Sequence, residues 1–310
     1  MVLSRNFHPL RVLSYVRTEV VFSVLTVSAV YLIHKFKLAD VSFSFSISAI
    51  LGSALAIFTA FRNNTAYSRW WEARTVWGNI INSSRIFARV LLTCTEAADR
   101  TKISSERTDS FLKESVFRQI AFAHSLRSAL RRLPNDLSYK NFLSKSEAED
   151  AEKSINVPNR ILLLQSIYLK RAVSEGLIGP FDMISFENIL SGLNNLQGAC
   201  ERIKNTPLLR QYDFFTRVFL YCFMSVLPLS LISEFKKLEW DFLFIPVTLM
   251  ICFIFSIIGK VGEVNEDPFE NKVTDVPLDA LCNTIERDLK EIAGVKNLPV
   301  KNEPVNGILM

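Results

Sequence analysis

The sequence predicts an all-α membrane protein with four spanning helices and a helical, water-exposed domain between the second and the third. Three observations predict it. Of the 310 residues 49% are hydrophobic and mean hydropathy is +0.21, too apolar for an ordinary soluble domain. Charged residues still make up 22%, too many for a chain lying wholly in lipid. Residues 43–90 run without proline from an apolar stretch rich in small residues into one that is polar on one face and aromatic on the other. One helix through both would be about 70 Å long at 1.5 Å per residue. Such a helix leaves the membrane and continues, as a pore wall does when it becomes the wall of a cytoplasmic vestibule.

Taken in order, residues 1–17 read as a basic, amphipathic lead-in able to lie along a membrane surface, with Phe7, Leu10, Leu13 and Tyr15 among arginines and His8. Val20 to Ile33 is uncharged and flanked by Arg17, Glu19, His34, Lys35 and Lys37, which makes a first span. No small-residue cleavage site follows Ile33, so the segment is expected to be a retained helix and not a signal peptide. Glu19 stands at the membrane edge, within snorkelling reach of water. The alternation Val41-Ser42-Phe43-Ser44-Phe45-Ser46-Ile47-Ser48 is a strand-like pattern. A lone strand in lipid would leave backbone groups unpaired, so these serines are expected in the second spanning helix, bonding back to the preceding turn. Ala49, Gly52, Ser53 and Ala56 allow another helix to approach closely.

Residues 62–213 form the expected helical domain. Leu112 to Leu133 is a helix ending at Pro134; Leu137 to Ile155 reads as a polar loop; Pro158 starts a helix that Gly176 and Gly179 break. Pro180 is expected in the first turn of the next helix, whose stripe Ile189, Leu193, Leu196, Cys200 and Ile203 is a buried face closed by Pro207. Phe214 to Ser233, with Arg217 and Pro228, and Phe242 to Ile258, with Pro246, are the third and fourth spans. The tail from Gly262 to Glu291 reads as a loop and then a helix, and irregular chain follows Gly294. The organisation is therefore 1–61 (lead-in and two spans), 62–213 (helical domain), 214–261 (two spans) and 262–310 (C-terminal segment). An even number of spans puts both termini and the helical domain on one side, and the basic flanks point to the cytoplasm.

The charge of +5 is spread through helical segments and implies no nucleic acid. Cys94, Cys200, Cys222, Cys252 and Cys282 contain no CxxC pair and read as free buried thiols; His8, His34 and His124 are too scattered for a metal site, and no metal or cofactor is expected. Nucleotide, metalloprotease and hydrolase motifs are absent, so the chain is not expected to be an enzyme. Arg217 is an intramembrane arginine close enough to its span's end to reach the interface. Ser53, Ile57 and Phe61 stand at i, i+4 and i+8 and share one helix face. The same face is followed by charged Arg62 and the polar run Asn63-Asn64-Thr65, a hydrophobic constriction opening into water, with Asn63 and Asn64 as possible ion-facing amides.

The run Phe61-Arg62-Asn63-Asn64-Thr65-Ala66-Tyr67-Ser68-Arg69-Trp70-Trp71-Glu72-Ala73-Arg74 resembles the bestrophin signature, its bacterial branch especially. Asn159-Arg160-Ile161-Leu162-Leu163-Leu164, Cys200-Glu201-Arg202, Thr206-Pro207, Glu266-Asp267-Pro268-Phe269 and Leu281-Cys282-Asn283-Thr284-Ile285-Glu286-Arg287 follow in family order. The resemblance implies a homopentameric channel in the cell (inner) membrane, with a pore on the five-fold axis, passing anions such as chloride passively. Its partners would be its own copies, the lipid bilayer and the permeant ions. The family's neck positions fall on Ser53, Ile57 and Phe61, with Ser53 interrupting the apolar pattern. The cytosolic constriction falls on Phe181, which follows Pro180 at a helix start where partial positive charge favours anions; a packing contact is the other reading of this ring. Animal bestrophins bind calcium after Asn-Pro-Phe; here Lys272 replaces an acid in Asp267-Pro268-Phe269-Glu270-Asn271-Lys272-Val273-Thr274-Asp275, so calcium activation is not expected. A sodium channel of the same architecture and a non-conducting membrane scaffold are the alternatives.

Overall fold

A computed structural model describes residues 1–2, 9–38, 42–96, 104–237 and 241–310. The described residues are helical apart from loops and two isolated backbone bridges, Val2 with Ile308 and Val305 with Ile308. In order the helices are α1 (Pro9–Tyr15), α2 (Arg17–Lys35), α3 (Phe45–Glu96), α4 (Ser105–Leu130), α5 (Lys145–Glu152), α6 (Val157–Glu175), α7 (Asp182–Asn205), α8 (Arg210–Lys237), α9 (Asp241–Asn265) and α10 (Leu278–Ile292). Four stretches are long and apolar enough to cross a membrane: Arg17–Lys35, Phe45–Thr95, Asp182–Lys237 and Phe242–Asn265. The expected all-α class is present, and four stretches fit the expected spans by length and composition. Part of the lead-in, with Phe7 and His8, lies outside the described residues.

The chain divides into two compact units. One comprises Ser4–Trp70 and Pro207–Asp267. There α2, the start of α3, α8 and α9 pack around Val27, Leu55, Phe223, Met224, Leu227, Phe244 and Cys252. Gly52 sets the approach of α3 to α8, since a Cβ there would sit 3.1 Å from the Phe223 ring. The Ser48 and Ser230 hydroxyls bond at 2.6 Å between the same helices. Pro228 lies inside α8 and Pro246 inside α9; each removes one backbone donor, which neighbouring segments make tolerable in a spanning helix. Ser42 to Ser44 are not helical as expected: α3 begins at Phe45, and the Phe43 N–H donates to the Leu229 carbonyl at 3.2 Å. An adjacent helix carbonyl thus satisfies backbone that would otherwise stand bare in lipid. Glu19 is a second correction. It does not snorkel; it is buried, 3.8 Å from Lys260 of α9, because a carboxylate beside a cation avoids the cost of standing alone in apolar surroundings.

The other unit comprises Met1–Leu3, Trp71–Thr206 and Pro268–Met310. Its centre is α4, which packs on α6 and α10. The core includes Trp77, Phe87, Phe111, Phe122, Phe186 and Phe269. Ser104 caps α4 by accepting the Arg107 N–H at 3.2 Å. The stretch expected to be a loop is partly helical: a 3-10 turn spans Ser138–Phe142, and α5 opens with a capping box in which Ser144 and Glu147 satisfy each other's backbone N–H groups. Acidic residues read as loop-like are there because Glu147 also binds the buried Arg118 at 2.6 Å. Asn156 caps α6, and Gly176 ends it at φ 78°, a conformation glycine adopts without strain. Pro180 lies before α7 and not in its first turn; Phe181 is the N-cap residue.

Candidate functional site

On α3, Gly52, Leu55, Thr59, Arg62 and Ala66 are buried, whereas Ser53, Ile57, Phe61 and Asn64 are exposed. Ile57 is 57% and Phe61 65% accessible, so this chain leaves the larger part of each side chain uncovered. Behind that face Phe58 meets Phe219 edge-on at 5.1 Å and holds α3 against α8. The Ser53 hydroxyl donates to the Ala49 carbonyl at 2.8 Å. Its proton is used within the helix, so the serine presents mainly an oxygen acceptor outward.

Asn63 and Asn64 part company. The Asn63 amide nitrogen donates to the Ile258 carbonyl of α9 at 2.9 Å, and Gly262 makes room for it: a Cβ there would lie 2.4 Å from Asn63 Oδ1. Asn64 is exposed on the face of Phe61. Only Asn64 has the orientation expected of an ion-facing amide.

Arg62 is the residue that sequence reasoning placed wrongly. It is 2% exposed, with Nη2 2.6 Å from Asp213 of α8 and 3.2 Å from Glu266 just after α9, and it donates to the carbonyl of Gly259 in α9 at 3.3 Å. One guanidinium thus ties three helices. Arg217 pairs with Asp213 one turn before it, so the intramembrane arginine belongs to the same ionic cluster. A signal for Arg62 existed in the sequence, since Glu266 and Asp213 border the third and fourth spans, but pairing across some 150 to 200 positions is not periodic and could not be read.

Phe181, in the other unit, is 82% exposed. It therefore makes no core contact in this chain. The helix start behind it is not a bare positive pole. Asp182 occupies the first turn and accepts the Gly179 N–H at 2.8 Å. The expected anion preference from helix charge is thereby offset, and the ring offers size and apolarity.

The carboxylates of the segment compared with a calcium clasp are each engaged. Glu270 takes the Lys204 ammonium at 2.7 Å, which holds its carboxyl below the usual range. Asp275 is buried and accepts the Lys272 N–H at 3.1 Å; burial raises its carboxyl. Asp267 lies 3.8 Å from Arg69. The five cysteines are free, but Cys222 is exposed and not buried, on a side of α8 turned away from this chain's core.

Comparison with known proteins follows the same lines. The family model described as "Bacterial/Fungal Bestrophin protein" matches residues 6–291. The Salmonella typhi voltage-dependent anion channel-forming protein YneE is 31% identical over 281 residues, covering 91% of this chain and 87% of its own length. The protein of that name from Escherichia coli K12 is 30% identical, covering 94% and 91%. A crystal structure of a bacterial bestrophin homologue from Klebsiella pneumoniae superposes with a TM-score of 0.79 at 27% identity, covering 90% of this chain and 98% of the other.

Proposed function

We propose, from the premise that this chain belongs to the bacterial/fungal bestrophin family, that it is a passive anion channel assembled from five copies of itself. The observation that carries the reading is the exposed face of α3. Ile57 and Phe61 are large, apolar and uncovered, on a helix whose opposite face is fully packed. Five copies around an axis would bury these side chains against a narrow column of water and form a hydrophobic neck, with Ser53 as its outer ring and Asn64 beyond it. Relatives named voltage-dependent anion channel-forming protein support the sign of the permeant ion. Chloride is the permeant ion we infer, and Phe181 forms a second ring. The unit rich in charged residues and both termini lie in the cytoplasm, and the channel sits in the cell membrane. Opening requires no calcium, because Lys204 already occupies Glu270 and the Lys272 backbone already occupies Asp275.

Purified protein in planar lipid bilayers tests this. Unitary current steps are expected, with a reversal potential near that of chloride under a potassium chloride gradient. A reversal potential near that of potassium would assign the pore to cations, and a silent bilayer would leave a membrane scaffold.

A further inference from the structure

The part of α3 in the second unit has two sharply different sides. Ala73, Val76, Trp77, Ile80, Ser84, Phe87, Ala88 and Leu91 are buried. Thr75, Asn79, Asn82, Ile86, Arg89 and Thr93, spaced alternately four and three apart, are all exposed. An exposed helix face on a soluble domain ordinarily carries glutamates and lysines. This one carries hydroxyls, amides, one guanidinium and the apolar Ile86, and no acid occurs between Ala73 and Thr95. Arg85, one turn from Arg89 and off that line, is neutralised by Asp288 at 2.6 Å. Arg89 has no ion-pair partner among the described residues.

The neighbouring helix repeats the pattern. α7 packs on α3 through Phe186 against Phe87, ring centroids 5.7 Å apart, and Arg202 reaches Glu72 at 2.5 Å. Asn188, Ser191 and Asn195 are exposed on α7. Its charged residue in that stretch, Glu187, is turned to α6, where Ser166 donates to it at 3.3 Å.

We propose that this face, Thr75 to Arg89 of α3, is a weak binding surface for monovalent inorganic anions, and that Arg89 sets the charge preference of permeation. The inference rests on the channel reading above. Amide and hydroxyl hydrogens replace part of an anion's hydration shell, and with few fixed charges they hold the ion loosely enough to release it. A guanidinium without an ion-pair partner among the described residues, repeated in each copy, raises the local anion concentration and lowers that of cations. The neck governs how much passes; this face governs which sign.

The test compares Arg89→Gln with the double variant Arg85→Gln/Asp288→Asn in planar bilayers. Arg89→Gln is expected to lower the chloride-to-sodium permeability ratio roughly threefold at 0.1 M salt, and to do so much less at 1 M, where the screening length falls from about 10 to about 3 Å. Arg85→Gln/Asp288→Asn leaves the ratio as it was, because it removes a pair that carries no net charge. An unchanged ratio for Arg89→Gln at 0.1 M, or equal shifts for both variants, overturns the proposal. If the wild-type chain is silent, the channel reading fails by itself. The face is then judged by anomalous scattering from crystals grown in sodium bromide: bromide within reach of Arg89 in the wild type and missing in Arg89→Gln sustains the surface, and its absence from the wild type overturns it.

Discussion

At the scale of single residues, buried charge decides which side chains are structural. Arg62 is surrounded by Asp213, Glu266 and a backbone carbonyl, so its removal leaves carboxylates facing one another without their common partner. Arg62→Ala is expected to cost about 3–5 kcal/mol in a denaturation series, the usual penalty for breaking a buried ion pair from one side. Asp136 gives a pH signature. Burial pushes its carboxyl up, but bonds from Ser138, Ser128 and Arg127 outweigh it and bring the pKa to about 2. The folded value lies below the unfolded one, so this stabilisation is present above about pH 4 and is lost as pH falls towards 2. Melting temperatures recorded from pH 6 to 2 are expected to fall more steeply for wild type than for Asp136→Asn over that window; parallel curves would contradict the assignment.

Elements are legible in the sequence to the extent that their cause is local. The four spans and the helices starting at Pro158 and ending at Gly176 follow from apolar length, proline and glycine, and the structure has them with longer ends. α5 was not legible, because eight residues with a polar composition give no periodic apolar face; its start depends on the Ser144 and Glu147 capping box. Ser144→Ala is expected to destabilise the fold by about 1 kcal/mol in chemical denaturation, whereas a loop would lose nothing measurable. The face of Ser53, Ile57 and Phe61 was legible from spacing. The role of Asn63 was not, since it depends on Gly262, 199 positions later, leaving space beside α9. Gly262→Val fills that space and is expected to lower the melting temperature and disturb α3 where the apolar face ends; a variant melting like wild type would show that α9 yields easily.

For the whole molecule, exposure is informative because the packed sides of α3 and α7 are so complete. Large apolar residues such as Ile57, Phe61 and Phe181 stand uncovered on a chain whose cores are otherwise closed, which is how surfaces meant for other copies or for a pore look in a single subunit. Calcium has no place in this account. Chelation is expected to leave both current and melting temperature unchanged, since a ion that binds the folded state would raise the latter by mass action; a calcium-dependent rise would reinstate a clasp around Glu270 and Asp275. The central claim is that one face of α3 is the narrowest part of an ion pathway. Unitary conductance of Ile57→Ala and Phe61→Ala beside wild type in planar bilayers tests it most directly. Widening an apolar constriction lowers the barrier to wetting, so both variants are expected to conduct more than wild type, with Ser53→Ala changing less because its hydroxyl proton already serves Ala49. Wild-type conductance in both Ile57→Ala and Phe61→Ala would contradict the claim.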